Sequence, residues 1–571
     1  MTETMDETAQ KTDTVTLTID GREVTVPKGT NIIDAADTVG IEVPHFCYHP
    51  ELSIAGNCRM CLVEIEGPRG KALVIACNTQ VGDGMKVETA SEKALAARRG
   101  VMEFLLLNHP TDCPICDQVG ECRLHEYYMK YDRKPSRMKL EKVHKGKRII
   151  AGPALVHDQE RCICCARCVR FTAEITKTFD TSIEYRGDHS KLCVPPGHEI
   201  THDYSECLAD VCPVGAWTSG KFRFKKRVYF LQSAESICPG CARGCNVLAQ
   251  FDPLENRLYR LKPRFNPEVN GHWLCDTGRW SFENIQAEER LASPAADGGK
   301  QAIEWEGAVN LAAKGLAGFR AAGKCFVIGS PALSNEDVYM LVRLGQAAEA
   351  GEFAHHPKPG DSDWDKLEDE LLIRREKSPN ARGAELLGLG EADYGKTLAS
   401  VFDDLKDGMF EGGIIVGCDP ASLDHEIEDA LSRLKFLLVV DTTLTKTGKL
   451  ATVLLPMATC FERAGTYVNG DGRLQQFEGS VASPAQACAP FGIFGAILET
   501  MGRADKESRA ASLMAEILKA MGMEPPEDTE EPEPVEWTAS GVFDLIRSEV
   551  SAFASVADEE LGAFGVTMDR F

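Results

Sequence analysis

Cysteine is the residue through which this chain can do chemistry: it has 22 of them, many in runs with two intervening residues. The most specific run is HPTDCPICDQVGEC, which places His109, Cys113, Cys116 and Cys122 as His-x3-Cys-x2-Cys-x5-Cys. Three thiolates with one imidazole suit either zinc or an iron–sulfur cluster. Cysteine-rich stretches with cluster-like spacing on both sides of the run favour iron–sulfur. Disulfides are a poor reading, because a chain of 571 residues needs no staples and the C-x2-C units point to ligands kept reduced.

Three further sets follow the same logic. Cys47, Cys58, Cys61 and Cys77 fall as C-x10-C-x2-C-x15-C, which departs from the plant-type ferredoxin spacing, so 2Fe-2S is inferred from spacing and domain context together, with zinc as the alternative. Gly56 is placed to let backbone amides approach the sulfides. Cys162, Cys165 and Cys168 form C-x2-C-x2-C, a turn that wraps one face of a 4Fe-4S cube and is closed by a remote cysteine followed by proline. Cys212-Pro213 fits that role, and Cys207, which proline does not follow, is the competing choice. Thr172 occupies the position where a second cluster would need another cysteine, so one cluster is expected here. Finally Cys238, Cys241 and Cys245, joined by Cys275, make a fourth candidate site, again 4Fe-4S. Cys164, Cys193, Cys207, Cys325, Cys418, Cys460 and Cys488 are left as buried or incidental thiols.

The elements that must position these residues can be read from periodicity. VTLTI, a turn at Gly21, EVTVP, a short helix in NIIDAADTVG, and then LVEIEG and KALVIAC about a turn at Pro68 to Gly70 give the order of a ferredoxin β-grasp over residues 15–90, behind a flexible tail at 1–14. SEKALAARRGVMEFLLLN is an amphipathic helix with Ser91 as N-cap, and it delivers His109; Pro110 and Pro114 then prevent its continuation. Residues 91–130 are therefore a histidine-plus-three-cysteine domain, 131–227 a ferredoxin-like 4Fe-4S domain and 228–290 a further 4Fe-4S domain in which NVLAQFDPLENRLYRLKP alternates as a short antiparallel sheet.

Beyond residue 290 the pattern becomes α/β. EWEGAVNLAAKGLAGFR, the stretch Asn335 to Ala348 and Asp424 to Leu434 read as helices, and CFVIGS, GGIIVGC and FLLVVDT read as strands of a mostly parallel sheet. Gly329 to Pro331 and Gly417 to Pro420 follow strands but are not a GxGxxG fingerprint, so 291–524 is expected to pack rather than bind a nucleotide. An acidic proline-rich linker, PPEDTEEPEPVE within 525–538, and a short helical tail at 539–571 follow.

Charge and hydropathy exclude other classes. Of the net charge of −24, residues 301–571 carry −22, which leaves the cysteine-bearing part nearly neutral. Its basic runs, Lys130 to Arg148 and Lys221 to Arg227, come with no nucleic-acid motif and read as solvated or subunit-facing surface. No run of about 18 apolar residues suits a membrane span, and the polar start MTETMDETAQKTDT lacks a secretory or transit pattern, so a cytoplasmic protein is expected.

The order of sites resembles the large iron–sulfur subunit, of the 75-kDa type, of respiratory complex I, NADH:quinone oxidoreductase. The resemblance rests on the four ligand sets, on CPVGAWTSGKFRF from Cys212, and on LLPMATCFERAGTYVNGDGRLQ from Leu454 to Gln475, which is similar to a segment shared with molybdopterin oxidoreductases. It covers roughly residues 15–500. It implies one 2Fe-2S and three 4Fe-4S clusters, a shortened molybdopterin-oxidoreductase-like scaffold without molybdopterin, and no NADH or quinone site in this chain. It further implies partners in the flavin subunit and in the iron–sulfur subunits nearer the membrane, on the cytoplasmic side of a bacterial inner membrane, with no nucleic acid and no membrane insertion. The alternative is the iron–sulfur subunit of a soluble NAD-linked hydrogenase or formate dehydrogenase. Thr277 stands where formate dehydrogenases usually have lysine, and the scattered Cys325, Cys418, Cys460 and Cys488 do not form a hydrogenase cluster motif.

Overall fold

Alternation in the first two strands builds the N-terminal sheet. In the computed structural model, which describes residues 13–67, 70–132, 134–286, 289–319, 323–356, 368–390, 396–502, 537–557 and 561–568, β1 (Thr14–Ile19) pairs antiparallel with β2 (Arg22–Pro27). Asp20 and Gly21 turn the chain with φ of 47° and 82°. Leu17, Ile19, Val24 and Val26 are buried on one face, the two-residue period of a half-buried strand. α1 (Ile32–Asp37) covers them with Ile32 and Ile33. β3 (Leu62–Gly67), β4 (Gly70–Ile75) and β5 (Lys86–Glu88) complete a sheet of order β2-β1-β5-β3-β4. This is the expected β-grasp arrangement plus one strand, β5, whose three residues are too few to show a period; it runs parallel to β1. Of the expected turn, Pro68 and Arg69 lie outside the described residues, as does most of the N-terminal tail.

α2 (Glu92–Leu106) starts where the sequence says it should: Ser91 Oγ accepts the Ala94 N–H at 3.2 Å. Ala94, Arg98 and Met102 recur every four residues on its buried side, and Arg98 donates to the Leu62 carbonyl at 3.2 Å, which ties the helix to β3. The cysteine-rich stretch beyond holds only short elements: α3 (Arg123–Tyr127), β6 (Ile149–Ile150), β7 (Leu155–His157), α4 (Arg167–Arg170), β8 (Ser182–Glu184), β9 (Lys191–Cys193), α5 (Cys207–Val211) and β10 (Trp217–Ser219). β10, β7 and β6 form a small antiparallel sheet in which Trp217 faces His157. Residues up to Phe230 make one compact unit and those from Leu231 a second.

The second unit begins with the antiparallel β11 (Gln232–Ile237), β12 (Asn246–Asp252) and β13 (Arg257–Pro263), as the alternation predicts, then α6 (Asp276–Arg279). Its largest sheet has seven strands. The edge pair β14 (Ala295–Ala296) and β15 (Gln301–Ala302) is antiparallel; β16 (Cys325–Gly329), β17 (Glu352–His355), β18 (Gly412–Val416), β19 (Phe436–Asp441) and β20 (Val453–Pro456) are parallel. Both faces are covered, which explains why these strands are apolar throughout rather than alternating. Val327, Ile414, Val416 and Leu438 pack on α7 (Trp305–Ala317) and α8 (Asn335–Ala347). Phe326, Ile415, Leu437 and Val439 pack on the other side with α10 (Lys396–Lys406) and α11 (His425–Ser432); α9 (Ala381–Leu386) lies between α8 and α10 in the chain. A last sheet joins β21 (Gly465–Val468) and β22 (Arg473–Phe477) to β23 (Val566–Thr567).

The helix expected as a C-terminal tail differs from that expectation. α12 (Ala539–Glu549) buries Val542, Phe543 and Ile546 in the same core as α8, and β23 pairs with β22, so this end of the chain is part of the domain. The acidic proline-rich linker lies outside the described residues. Removing the cap that sets the register of α2, Ser91→Ala, should cost about 1 kcal/mol locally, so that amides of the first turn of α2 exchange roughly fivefold faster while those of α8 are unchanged, measured by hydrogen exchange.

Candidate functional site

The loop from residue 38 to 61 and the turn after β4 bring the first cysteine set together. Cys61 and Cys77 sulfurs are 3.4 Å apart, and the Cys47 N–H donates to the Cys58 sulfur at 3.5 Å. Each pair shares a proton: the hydrogen bond from Cys58 pulls Cys47 down to about 5 and pushes Cys58 up, and that from Cys77 pulls Cys61 down to about 7 and pushes Cys77 up. Gly56, with φ of 58°, would bring a Cβ to 3.3 Å from Ile75, so the loop tightens there through a glycine.

α2 stops at Leu106 and the Lys142 ammonium donates to the Leu106 and His109 carbonyls at 2.9 and 2.7 Å, which fixes the chain where His109 leaves the helix. Burial pulls the His109 imidazole down to about 4, so it is neutral at pH 7, and its Nδ1 is buried with no hydrogen-bond partner. Asp112 binds Arg161 at 2.8 Å and Lys147 at 3.1 Å, and the single turn Cys113–Ile115 then presents Cys113 and Cys116, whose N–H donates to the Cys113 carbonyl at 3.1 Å. Cys122 ends the run just before α3, and burial pushes its thiol up to about 12. His109, Cys113 and Cys122 line one cavity of 810 Å³. Cys116 turns toward Gly215, where a Cβ would stand 2.4 Å from its sulfur.

Cys162, Cys165, Cys168 and Cys212 enclose one small space with Leu192, Val214, Ala216 and Trp217. Left-handed φ at Cys164 (49°) and Ala166 (61°) makes the turn tight, a conformation non-glycine residues adopt only under constraint. Cys164, expected to be incidental, also lines the space; Cys207 does not, being fully buried at the start of α5. Burial pushes Cys165 up to about 11 and Cys168 and Cys212 upward.

In the second unit the Cys238 N–H donates to the Cys245 carbonyl at 2.8 Å, closing the loop that carries Cys241. Cys275 caps α6 and accepts from the Gly278 N–H at 3.3 Å. A Cβ on Gly278 would lie 2.9 Å from the Cys238 sulfur and 3.1 Å from that of Cys275. Cys238, Cys241 and Cys275 all push the Cys245 thiol up, after burial, so the four are near neighbours. All four are buried.

Among the described residues no three such side chains converge on a single-ion site. The thiols instead gather in pairs and fours within apolar walls, where burial opposes ionisation; a cationic metal centre reverses that balance and holds each as thiolate. The donor set, a neutral buried imidazole among buried thiols with glycines where a Cβ would strike sulfur, fits iron–sulfur clusters.

Sequence reasoning missed the groups that hold the loops. Arg170 donates to the Cys47 carbonyl at 2.5 Å and to that of Ser53, and Arg167 donates to the Val211 carbonyl at 3.2 Å and to that of Tyr48. Arg227 donates to the carbonyls of Pro114, at 2.6 Å, and Cys116. In the second unit Gln475 donates to the Gly244 carbonyl at 3.0 Å and Asn469 to that of Arg243 at 3.1 Å. The arginine positions between the cysteines were visible as RCICCARCVRF, but their partners are distant in sequence.

Family models match this architecture piece by piece: a 2Fe-2S iron–sulfur cluster binding domain over residues 12–92, an NADH-ubiquinone oxidoreductase-G iron–sulfur binding region over 98–137, the ferredoxin-like domain of NADH-quinone oxidoreductase subunit 3 over 152–218, and molybdopterin oxidoreductase over 363–500. The chain is thus an iron–sulfur protein that joins 2Fe-2S and 4Fe-4S ferredoxin-type domains to a molybdopterin-oxidoreductase-type α/β domain. Its homologues are named as iron–sulfur subunits of NADH-quinone or NADH-ubiquinone oxidoreductase of the 75-kDa type. The NADH-quinone oxidoreductase homologue of Streptomyces coelicolor is 38% identical over 341 residues, 59% of this chain and 40% of that protein, and the one of Mycobacterium bovis is 40% identical over 340 residues, 58% and 41%. The mitochondrial NADH dehydrogenase [ubiquinone] iron–sulfur protein 1 of Solanum tuberosum is 39% identical over 308 residues, 53% and 40%. The chain therefore spans about two fifths of the length of these relatives. A crystal structure of an NAD+-reducing [NiFe]-hydrogenase matches 38% of this chain and 91% of its own at 27% identity, with a TM-score of 0.34. No described helix is long and apolar enough to cross a membrane.

Gly215→Ala should push the Cys116 sulfur out of place and lower the iron bound per chain; Gly307→Ala, which meets nothing within 4 Å, should leave it unchanged, both read by iron analysis of the purified protein.

Proposed function

We propose that this chain is an electron-relay subunit of an NADH:quinone oxidoreductase of the complex I type, receiving electrons from a flavin-bearing subunit and passing them toward subunits nearer the membrane. The observation that carries the reading is His109, a buried neutral imidazole with an unpartnered ring nitrogen beside three thiols, set between a two-pair cysteine site before it and two four-cysteine sites after it. Cys47, Cys58, Cys61 and Cys77 would hold 2Fe-2S; the sets His109, Cys113, Cys116, Cys122, then Cys162, Cys165, Cys168, Cys212, then Cys238, Cys241, Cys245, Cys275 would each hold 4Fe-4S. Such clusters supply one-electron transfer at potentials set by ligand type, hydrogen bonds to sulfur and burial.

The protein's part is to bind, orient and dry these sites. Cysteines of three sets, Cys47, Cys122 and Cys165 with Cys58, Cys162 and Cys212 against them, share one apolar cluster with Phe46, Met60 and Met102, which keeps water from the interval between them. Arg161, Arg167, Arg170 and Arg227 place positive charge beside the thiolates while they fix the loops. The α/β domain is read as a scaffold without molybdopterin, the boundaries at residues 90, 130, 227, 290 and 524 as those of its modules, and the working position as the cytoplasmic face of a bacterial membrane in a complex with other subunits.

The purified chain should carry about 14 iron atoms, two from a 2Fe-2S and the rest from three 4Fe-4S clusters; stoichiometric zinc instead would defeat the reading. His109→Cys adds an anionic ligand and should lower the midpoint of one 4Fe-4S signal in an EPR redox titration, since histidine in place of thiolate raises potentials in Rieske centres. The chain by itself should oxidise neither formate nor hydrogen, and either activity would favour an autonomous enzyme.

A further inference from the structure

Trp217 opens β10 directly after the loop that carries Cys212, and its side chain is 1% exposed. The indole is a wall of the space enclosed by Cys162, Cys165, Cys168 and Cys212. It stacks on His157, its partner across the strand ladder, with ring centroids 4.3 Å apart and planes at 26°. The backbone N–H of Trp217 also faces this space, where it favours the Cys212 thiolate. The indole Nε1 is buried and has no hydrogen-bond partner among the described residues. It inclines to the Cys168 sulfur, whose thiolate it favours. A donor buried without an acceptor is destabilising, and sulfur within the enclosure is the acceptor chemistry that surrounds it. An aliphatic side chain would fill the same wall without leaving a polar atom to satisfy.

We propose that Trp217 donates its indole N–H to sulfur of the iron–sulfur cluster held by Cys162, Cys165, Cys168 and Cys212 and thereby raises that cluster's midpoint potential. The inference rests on the reading of those four cysteines as a cluster site. A positioned N–H dipole stabilises added negative charge, and the reduced cluster carries one electron more than the oxidised one, so the bond is stronger after reduction. His157 acts as a positioning residue: burial pulls its imidazole down to about 4, so a neutral ring lies flat on the indole and holds its plane.

The test compares Trp217→Phe, which keeps a ring and loses the N–H, with Trp217→Leu in the full-length protein, by EPR redox titration. Both substitutions should shift the midpoint of one 4Fe-4S signal to more negative values, with iron content unchanged. A midpoint that stays at the wild-type value in Trp217→Phe, or that moves only in Trp217→Leu, would assign any effect to packing and overturn the proposal. Should the variants lose the cluster, wild-type protein carrying ¹⁵N-indole tryptophan decides: a ¹⁵N coupling to that reduced cluster in pulsed EPR supports the bond, and its absence overturns it. If Cys168→Ala removes neither iron nor any cluster signal, the cluster reading itself has failed and the proposal falls with it.

Discussion

Thiolates crowded into an apolar interior repel one another and lose hydration, so a protein that gathers them must restrain the loops that carry them and supply positive charge. In the N-terminal unit four arginines do both. Arg167 and Arg170 lie within and just after the C-x2-C-x2-C run, and their guanidinium groups reach back to the Tyr48, Ser53 and Cys47 carbonyls. A guanidinium can satisfy several carbonyls from one rigid fork, which a lysine cannot. The turn that carries one set of cysteines is thereby locked to the loop that carries another. Burial pulls Arg167 down to about 10, still charged at neutral pH, so the clamp holds through the working range.

The same logic extends along the unit. Arg161 and Arg227 hold the stretch from Asp112 to Cys116 against the loop after Cys212, and Gly215 permits the approach because any larger residue would meet the Cys116 sulfur. Three cysteine sets thus share one apolar cluster rather than forming three separate cores. A relay requires neighbouring sites that do not move relative to one another, and hydrogen bonds to backbone carbonyls within a dry cluster provide that.

The second unit solves its own positioning problem with amides instead of arginines. Asn246, Asn469 and Gln475 link the Cys238 to Cys245 loop to the β21–β22 hairpin, with Asn246 Nδ2 donating to Gln475 Oε1 at 2.5 Å. The segment Leu454 to Gln475, notable in the sequence for its likeness to molybdopterin oxidoreductases, therefore supports the fourth cysteine set as well as the parallel sheet. This explains why the 231–290 stretch and the α/β sheet belong to one compact unit.

Spacing and period were enough to group the cysteines into four sets and to give the β-grasp order, the Ser91 cap and the parallel sheet, because each is a local matter of interval, alternation or a single side chain reaching its own backbone. One following proline separated Cys212 from Cys207, and the structure lines the enclosure with Cys212. What those residues touch was settled by packing alone. β5 is too short to have a period, α12 is helical in either case and its burial makes it core, and the arginine clamps, Gly215 against Cys116 and Trp217 against Cys168 join residues far apart in the chain. Such contacts depend on where the backbone returns in space, and a pattern of nearest neighbours carries no record of that return.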